Sequence, residues 1–323
     1  MTLPPEFALI ARHFRPLAGD GALDLSDDAA LLDPPAGHQL VLAADAMVAG
    51  VHFLADDPPE TIAQDVAWKL VAVNLSDLAA MGATPLGYLM TCAFPRGTAE
   101  DWIAAFARGL AEDQREYKLT VLGGDTVSTT GPATFSLTIL GTVSPGTALR
   151  RTGARPGDEV WVSGTIGDGA LGLLALTSRM PQDDHLARRY RLPEPRLALG
   201  AVLAGIARAA MDVSDGLVQD LGHLARAAGC GATVNADAIP LSDPAQRALH
   251  GDPALRARVL TGGDDYELLL AADPADAARV RAAAESAGVP VTRIGRFTIG
   301  EGVTVLDGAG APIPLPHGGW SHF

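Results

Sequence analysis

A chain of 323 residues, 48% of them hydrophobic, is long enough for two domains with sizeable cores and too apolar for disorder. Its net charge of −14 excludes nucleic acid and anionic membrane as main partners, because the overall field repels polyanions. A phosphate ligand would then need divalent metal to neutralise it locally. Lys69 and Lys118 are the only lysines, so positive charge is almost all arginine. Cys92 and Cys230 are too few for a disulfide scaffold or a zinc site, and both read as core thiols. Met1 to Glu6 has no basic region followed by an apolar run, and no apolar stretch of spanning length lacks a charge or a glycine-rich break. No membrane association and a cytoplasmic location are expected.

Phe7 to Phe14 is predicted as a short helix. Gln39 to Val48 is predicted as a strand whose apolar run ends at Asp45. From Glu60 to Met81 the spacing of Ile62, Val66, Leu70 and Val73 predicts a long helix with one apolar face. It carries a possible i,i+4 pair, Asp65 and Lys69, and stops at Gly82. Asn74 and Asp77 are three apart and project from one side of it. Leu86 to Phe94 reads as a strand stopped by Pro95, and Glu100 to Glu116 as a helix. Leu119 to Leu122 reads as a short strand running into a Gly123-Gly124-Asp125 turn, and Ala133 to Val143 as a further strand.

Pro145 to Asp158 is rich in Gly, Pro and Arg and marks a domain boundary. The division is into an N-terminal domain over 1–148 and a C-terminal domain over 149–323. A second alternating pattern follows. It has strands at Glu159–Ser163, at Met211–Val213, at Ala232–Ala236, at Tyr266–Ala271 and at Val291–Arg296, with helices from Ala170, over Leu217–Ala228 and over Pro274–Ala287. No repeat or low-complexity linker is present. The fold class is α/β (α+β), with a sheet and its helices in each half.

The chemistry is carried by acidic turns. Asp28, Asp45, Asp77, Asp125, Asp212 and Asp215 are expected at turns, several just where an apolar run ends, which is where α/β proteins present functional groups. Carboxylates gathered in one place repel one another unless cations lie between them, and hard oxygen ligands of this kind suit Mg²⁺ beside substrate phosphates. Ser214, between two of them, is placed to cap the following helix. Gly123-Gly124 lets a ligand approach the backbone closely beside Asp125. Gly164 to Gly169 is either a phosphate cradle at a helix N-terminus or a plain strand-to-helix turn. No Walker motif, protein-kinase motif set or EF-hand calcium loop occurs, and His52 has no second histidine at ligand spacing.

Taken in order, five segments resemble the thiamine-monophosphate kinase family of aminoimidazole-ribonucleotide synthetase-like ATP enzymes. They are Gly50-Val51-His52-Phe53, Asn74 to Ala83, Gly123-Gly124-Asp125-Thr126, Met211-Asp212-Val213-Ser214-Asp215-Gly216-Leu217 and Gly263-Asp264-Asp265-Tyr266-Glu267-Leu268. The resemblance spans nearly the whole chain. It implies transfer of a phosphoryl group from ATP to thiamine monophosphate, giving ADP and thiamine diphosphate. It implies several Mg²⁺ ions on the six aspartates and ATP contacts from Gly124, Asp125, Arg151 and Ser214. It implies acceptor contacts from His52, Asp264 and Trp320, and no residue as general base. It also implies a homodimer whose N-terminal sheets join in a shared barrel.

The chain departs from the family at three places. Asp24-Leu25-Ser26 replaces Gly-Ile-Gly before the paired aspartates, Ala43-Ala44 replaces Ser-Thr before Asp45, and Asp264 replaces a glutamate. The alternatives are another ATP-using enzyme of the superfamily or a non-catalytic nucleotide-binding protein. Two superfamily members use a cysteine or selenocysteine near the N-terminus or a cysteine near the C-terminus, and this chain has neither.

Overall fold

In the computed structural model, which describes residues 5–55, 59–316 and 318–321, the chain divides into two units. The first comprises Met1–Leu78 and Thr84–Pro145, the second Ala79–Ala83 and Gly146–Phe323. No helix among the described residues is long and apolar enough to cross a membrane.

The first unit contains α1 (Pro5–Leu9), β1 (Gln39–Val48), the greater part of α2 (Pro59–Ala80), β2 (Thr84–Pro95), α3 (Glu100–Tyr117), β3 (Val121–Thr129) and β4 (Thr134–Val143). The expected Phe7–Phe14 helix is broken instead into α1, a π-helical turn over Ile10–Phe14 and a 3₁₀ turn over Arg15–Leu17. The four strands form a sheet in the order β1-β4-β2-β3, with β2 and β3 parallel and the other pairs antiparallel. Phe135, Leu137 and Ile139 of β4 and Cys92 and Phe94 of β2 are buried on one face. There Phe106 of α3 stacks on Phe135 with ring centroids 4.9 Å apart, and Trp102 lies 6.0 Å from the same ring. The other face exposes Leu40, Leu42, Leu89 and Val127.

Two local expectations are corrected here. The strand does not stop at Leu122: β3 runs through Gly123, Gly124 and Asp125 to Thr129, pairing Asp125 with Thr91. Asp45 is not at a strand end either, since β1 continues to Val48 and pairs Asp45 with Leu137. In both cases pairing to a neighbouring strand overrides the breaking tendency of Gly and Asp. α2 ends at Ala80, and Gly82 takes φ +68 as the expected stop. From Lys69 to Ser76 α2 is buried on every side, polar residues included.

The second unit contains β5 (Glu159–Ser163), α4 (Asp168–Leu176), α5 (Asp184–Arg191), α6 (Leu197–Leu203), β6 (Ala209–Val213), α7 (Leu217–Ala227), β7 (Gly231–Asn235), α8 (Asp243–Gly251), α9 (Leu255–Thr261), β8 (Glu267–Ala272), α10 (Ala277–Ala287), β9 (Val291–Thr298) and β10 (Val303–Leu306). The sheet order is β10-β7-β9-β5-β8-β6, with only β10 and β7 parallel. Both faces are covered. Leu269 and Ala271 enter one core cluster, while the alternate residues Leu268, Leu270 and Ala272 enter the other. That is why β8 reads as a continuous apolar run. Both units are thus α/β with mixed sheets. Cys92 and Cys230 are buried thiols, as expected.

Candidate active site

In the first unit the open face of the sheet bears polar residues beside a cavity. Ser136, Thr91 and Asp125 lie in one register row across β4, β2 and β3. A cavity of about 820 Å³ is bounded there by Asp28, Gly124, Asp125, Thr91, Ser136 and Thr138. Asp28 and Asp125 are both exposed. Gly124 is required by close approach, since a Cβ there would lie 1.8 Å from the Met90 carbonyl oxygen. The bend that carries Asp28 follows Leu23, Asp24 and Leu25, all at positive φ. These three residues therefore adopt the left-handed backbone that glycine would take without cost.

Asp45 and Asp77 stand elsewhere in this unit. The Asp45 backbone N–H donates to Asn74 Oδ1 at 3.0 Å, and Asn74 Nδ2 donates to the Leu70 carbonyl at 2.9 Å. The α2 side that bears Asn74 and Asp77 is thereby tied to the outer edge of β1. His52 lies in the turn after β1. Its Nδ1 accepts the Val48 N–H at 3.0 Å, so a neutral ring carries its proton on Nε2. The buried Lys69 donates to the His52 carbonyl at 3.0 Å and fixes the turn from below.

In the second unit Asp212, Ser214 and Asp215 lie on β6 and the loop that follows it. Ser214 does not cap α7; the position before the helix is Gly216. The organising group is instead Asp220, one turn into α7 and buried. Its Oδ2 accepts the backbone N–H of Ser214 at 3.0 Å, of Asp215 at 3.0 Å and of Gly216 at 3.1 Å. Burial, then the charge of Asp212, pushes the Asp220 carboxyl up to about 8. Asp212, buried at the end of β6, and Asp215, whose N–H Asp220 takes, are the other two carboxyls of this neighbourhood.

Asp264 is tied to the same loop, its N–H donating to the Ser214 carbonyl at 2.9 Å. Both Asp264 (φ +72) and Tyr266 (φ +52) sit in the left-handed region, which is uncommon for a tyrosine. Between them Asp265 points inward and accepts the N–H groups of Gly167 at 2.7 Å and Gly169 at 3.0 Å. Burial pushes its carboxyl up to about 8 against the pull of those donors. The Gly164–Gly169 turn is therefore no phosphate cradle, because a carboxylate from within the chain takes these amides. Glu267 is fully buried and accepts from Ser163 Oγ at 2.6 Å, Arg196 Nε at 2.7 Å and Arg189 Nη2 at 2.9 Å. Trp320, 49% exposed, is fastened to the same region by its N–H, which donates to the Asp215 carbonyl at 2.9 Å. Arg151 is exposed in the loop before β5.

The structure thus brings Asp28 and Asp125 to one cavity, joins Asp45 to the α2 side that bears Asp77, and gathers Asp212, Ser214, Asp215, Asp264 and Trp320 around one loop. Among the described residues no three Asp, Glu, His or Cys side chains form a ready-made metal site. The donors present are carboxylates and hydroxyls, without paired imidazoles or thiolates, a set that fits Mg²⁺ better than a softer ion. Asp220 and Asp265 were missed at the sequence level. The available signal was an acid in the first turn of the helix that follows Ser214-Asp215-Gly216, and for Asp265 its place inside the Gly263–Leu268 segment.

Comparison with known proteins agrees with this architecture. The model for AIR synthase related protein, N-terminal domain, matches residues 26–143, and that for the C-terminal domain matches residues 155–308. The chain is 47% identical over 325 residues to thiamine-monophosphate kinase of Caulobacter vibrioides, covering 99% of this chain and 91% of that protein. It matches the crystal structure of thiamine-monophosphate kinase from Stenotrophomonas maltophilia with a TM-score of 0.81 and 44% identity, over 93% of this chain and 96% of that one. AaThiL complexed with AMPPCP and TMP matches with a TM-score of 0.78 and 30% identity, over 92% and 91% of the two chains. With such matches over nearly its full length and both halves of the fold accounted for, this chain belongs to the thiamine-monophosphate kinase family of the AIR synthase related proteins.

Proposed function

We propose that this chain transfers the γ-phosphoryl group of ATP to thiamine monophosphate, forming thiamine diphosphate and ADP. The observation that carries the reading is the full-length identity of 47% to a protein named thiamine-monophosphate kinase. The structure of AaThiL with AMPPCP and TMP supports a site that takes a nucleotide and a phosphate ester together.

The acceptor is itself a phosphate with a second pKa of about 6, so it is largely anionic at neutral pH and needs no strong base. The task of the protein is to hold two polyanions in line and balance their charge. Mg²⁺ on Asp28, Asp45, Asp77, Asp125, Asp212 and Asp215 would supply that charge balance. Gly124 offers its strand backbone to the nucleotide, and Arg151 and Ser214 add donors to its phosphates. Nε2–H of His52 is a donor toward the acceptor phosphate. Trp320 gives a half-exposed ring for the cationic thiazolium, and Asp264 a carboxylate beside it.

The open sheet face with Leu40, Leu42, Leu89 and Val127 exposed supports a homodimer in which a second copy covers that face. A domain role follows: residues 1–148 carry nucleotide, metal and dimer contacts, and 149–323 add Asp212, Asp215, Arg151 and Ser214 to the metal and nucleotide together with Asp264 and Trp320 for the acceptor. A cytoplasmic location belongs to the same reading, because the co-substrate is ATP. The test is purified protein with ATP, Mg²⁺ and thiamine monophosphate, with ADP and thiamine diphosphate both quantified. One-to-one formation of the two products supports the assignment. ADP without thiamine diphosphate sends the acceptor elsewhere in the superfamily, and no ADP at all sinks the kinase reading.

A further inference from the structure

Gln219 stands beside Asp220 on the first turn of α7 and does a different job. Its Nε2 donates to the carbonyl oxygen of Trp320 at 2.6 Å and lies 3.3 Å from Asp215 Oδ2. One amide thus bridges the segment that carries the aromatic face and the carboxylate of a candidate metal ligand. The same segment is held a second time, through the Trp320 N–H on the Asp215 carbonyl at 2.9 Å. The fit leaves no room for a side chain at position 319: a Cβ on Gly319 would lie 2.5 Å from Gln219 Cβ and 2.7 Å from the Asp215 carbonyl oxygen. The anchor is stiff, because Asp220 clamps three successive N–H groups of the 214–216 loop. Trp320 is therefore placed by contacts on both sides of its backbone, although its ring is half exposed.

We propose that Gln219 is a positioning residue that sets Trp320 relative to Asp215 and so fixes where the acceptor ring lies with respect to the metal-bound phosphate. The inference rests on the reading of Trp320 as an acceptor contact. Its consequence is specific: loosening the clip weakens acceptor binding without weakening nucleotide binding, because Asp215 and Ser214 remain held by Asp220.

The test is a double-mutant cycle on steady-state kinetics, with KM for thiamine monophosphate and for ATP measured separately. Gln219→Ala removes the bridge. Gly319→Ala forces the segment away from Gln219 and the Asp215 carbonyl without removing any bridging group, and serves if the first variant folds poorly. Each is expected to raise KM for thiamine monophosphate about three- to tenfold, the worth of one or two hydrogen bonds, and to leave KM for ATP within about twofold. Neither should add anything in a Trp320→Ala background, since the residue being positioned is gone. A raised KM in Trp320→Ala with unchanged values in both other variants overturns the positioning role alone. An unchanged KM in Trp320→Ala overturns the acceptor contact and the positioning role together. A general loss of stability would lower the folded fraction and hence apparent kcat while leaving both KM values unchanged, and that outcome also defeats the proposal.

Discussion

The two units hold their acidic residues in opposite ways. In the first, Asp28 and Asp125 are exposed, one on a bend and one on a regular strand position of an open sheet face. Asp125 is placed by sheet register and Asp28 by the bend that follows Leu25. In the second, Asp212 is buried at the end of β6, and the loop carrying Ser214 and Asp215 is clamped from inside by Asp220. The neighbouring loop is clamped in the same way by Asp265. A strand needs only its ladder to present a ligand, whereas a loop exposes unpaired amides that some acceptor must satisfy. A carboxylate can serve several of them at once, at the cost of its own desolvation.

This contrast can be broken by substitution. The largest effect is expected at Asp212, where Asn keeps the shape and removes the charge; kcat/KM should fall on the order of a thousandfold, read from coupled ADP and thiamine diphosphate formation. Retention of more than a tenth of the activity (about 1.4 kcal/mol) would remove Asp212 from the site. Next comes stability. Asp220→Ala leaves three loop amides without their acceptor and should cost about 3 kcal/mol or more in urea unfolding, while Asp125→Ala should change stability by less than about 0.5 kcal/mol. Equal losses in the two variants would erase the distinction between clamped and open presentation.

The first unit also has a buried acid, Asp113 on α3, and it sharpens the comparison because its Oδ2 has no hydrogen-bond partner. Burial, then the nearby Glu112, pushes its carboxyl from 3.8 up to about 8. The folded protein therefore holds a proton that the unfolded chain releases, so this group lowers stability as pH rises from about 4 to about 8. Asp113→Asn should remove that slope and gain on the order of 1–3 kcal/mol at pH 8 relative to pH 4.5. Parallel stability profiles for the two proteins would count against it. The smallest effect on the folded protomer is expected at the open face. On the homodimer proposed above, Leu42→Asp at a position 62% exposed should give a monomer by light scattering while altering protomer stability by less than about 1 kcal/mol. A variant that stays dimeric would place the interface elsewhere.

The sequence carried the division into two α/β halves, most of the strands and long helices, and the ordered acidic segments by which the family is recognised. These are legible because apolar periodicity and glycine–aspartate pairs are local signals. It did not carry the short helices α5, α6, α8 and α9, each of nine residues or fewer, which lack enough turns to establish a period. It also misplaced Asp45 and Asp125 at strand ends, because pairing with β4 and β2 is a long-range decision. Only the tertiary structure decided that the glycine-rich turn at 164–169 is filled by Asp265, that Asp220 clamps the 214–216 loop, and that Gln219 reaches Trp320, 101 residues away in the chain. In each case an amide or a carboxylate takes its partner from another part of the fold, and no local pattern of residues records that choice.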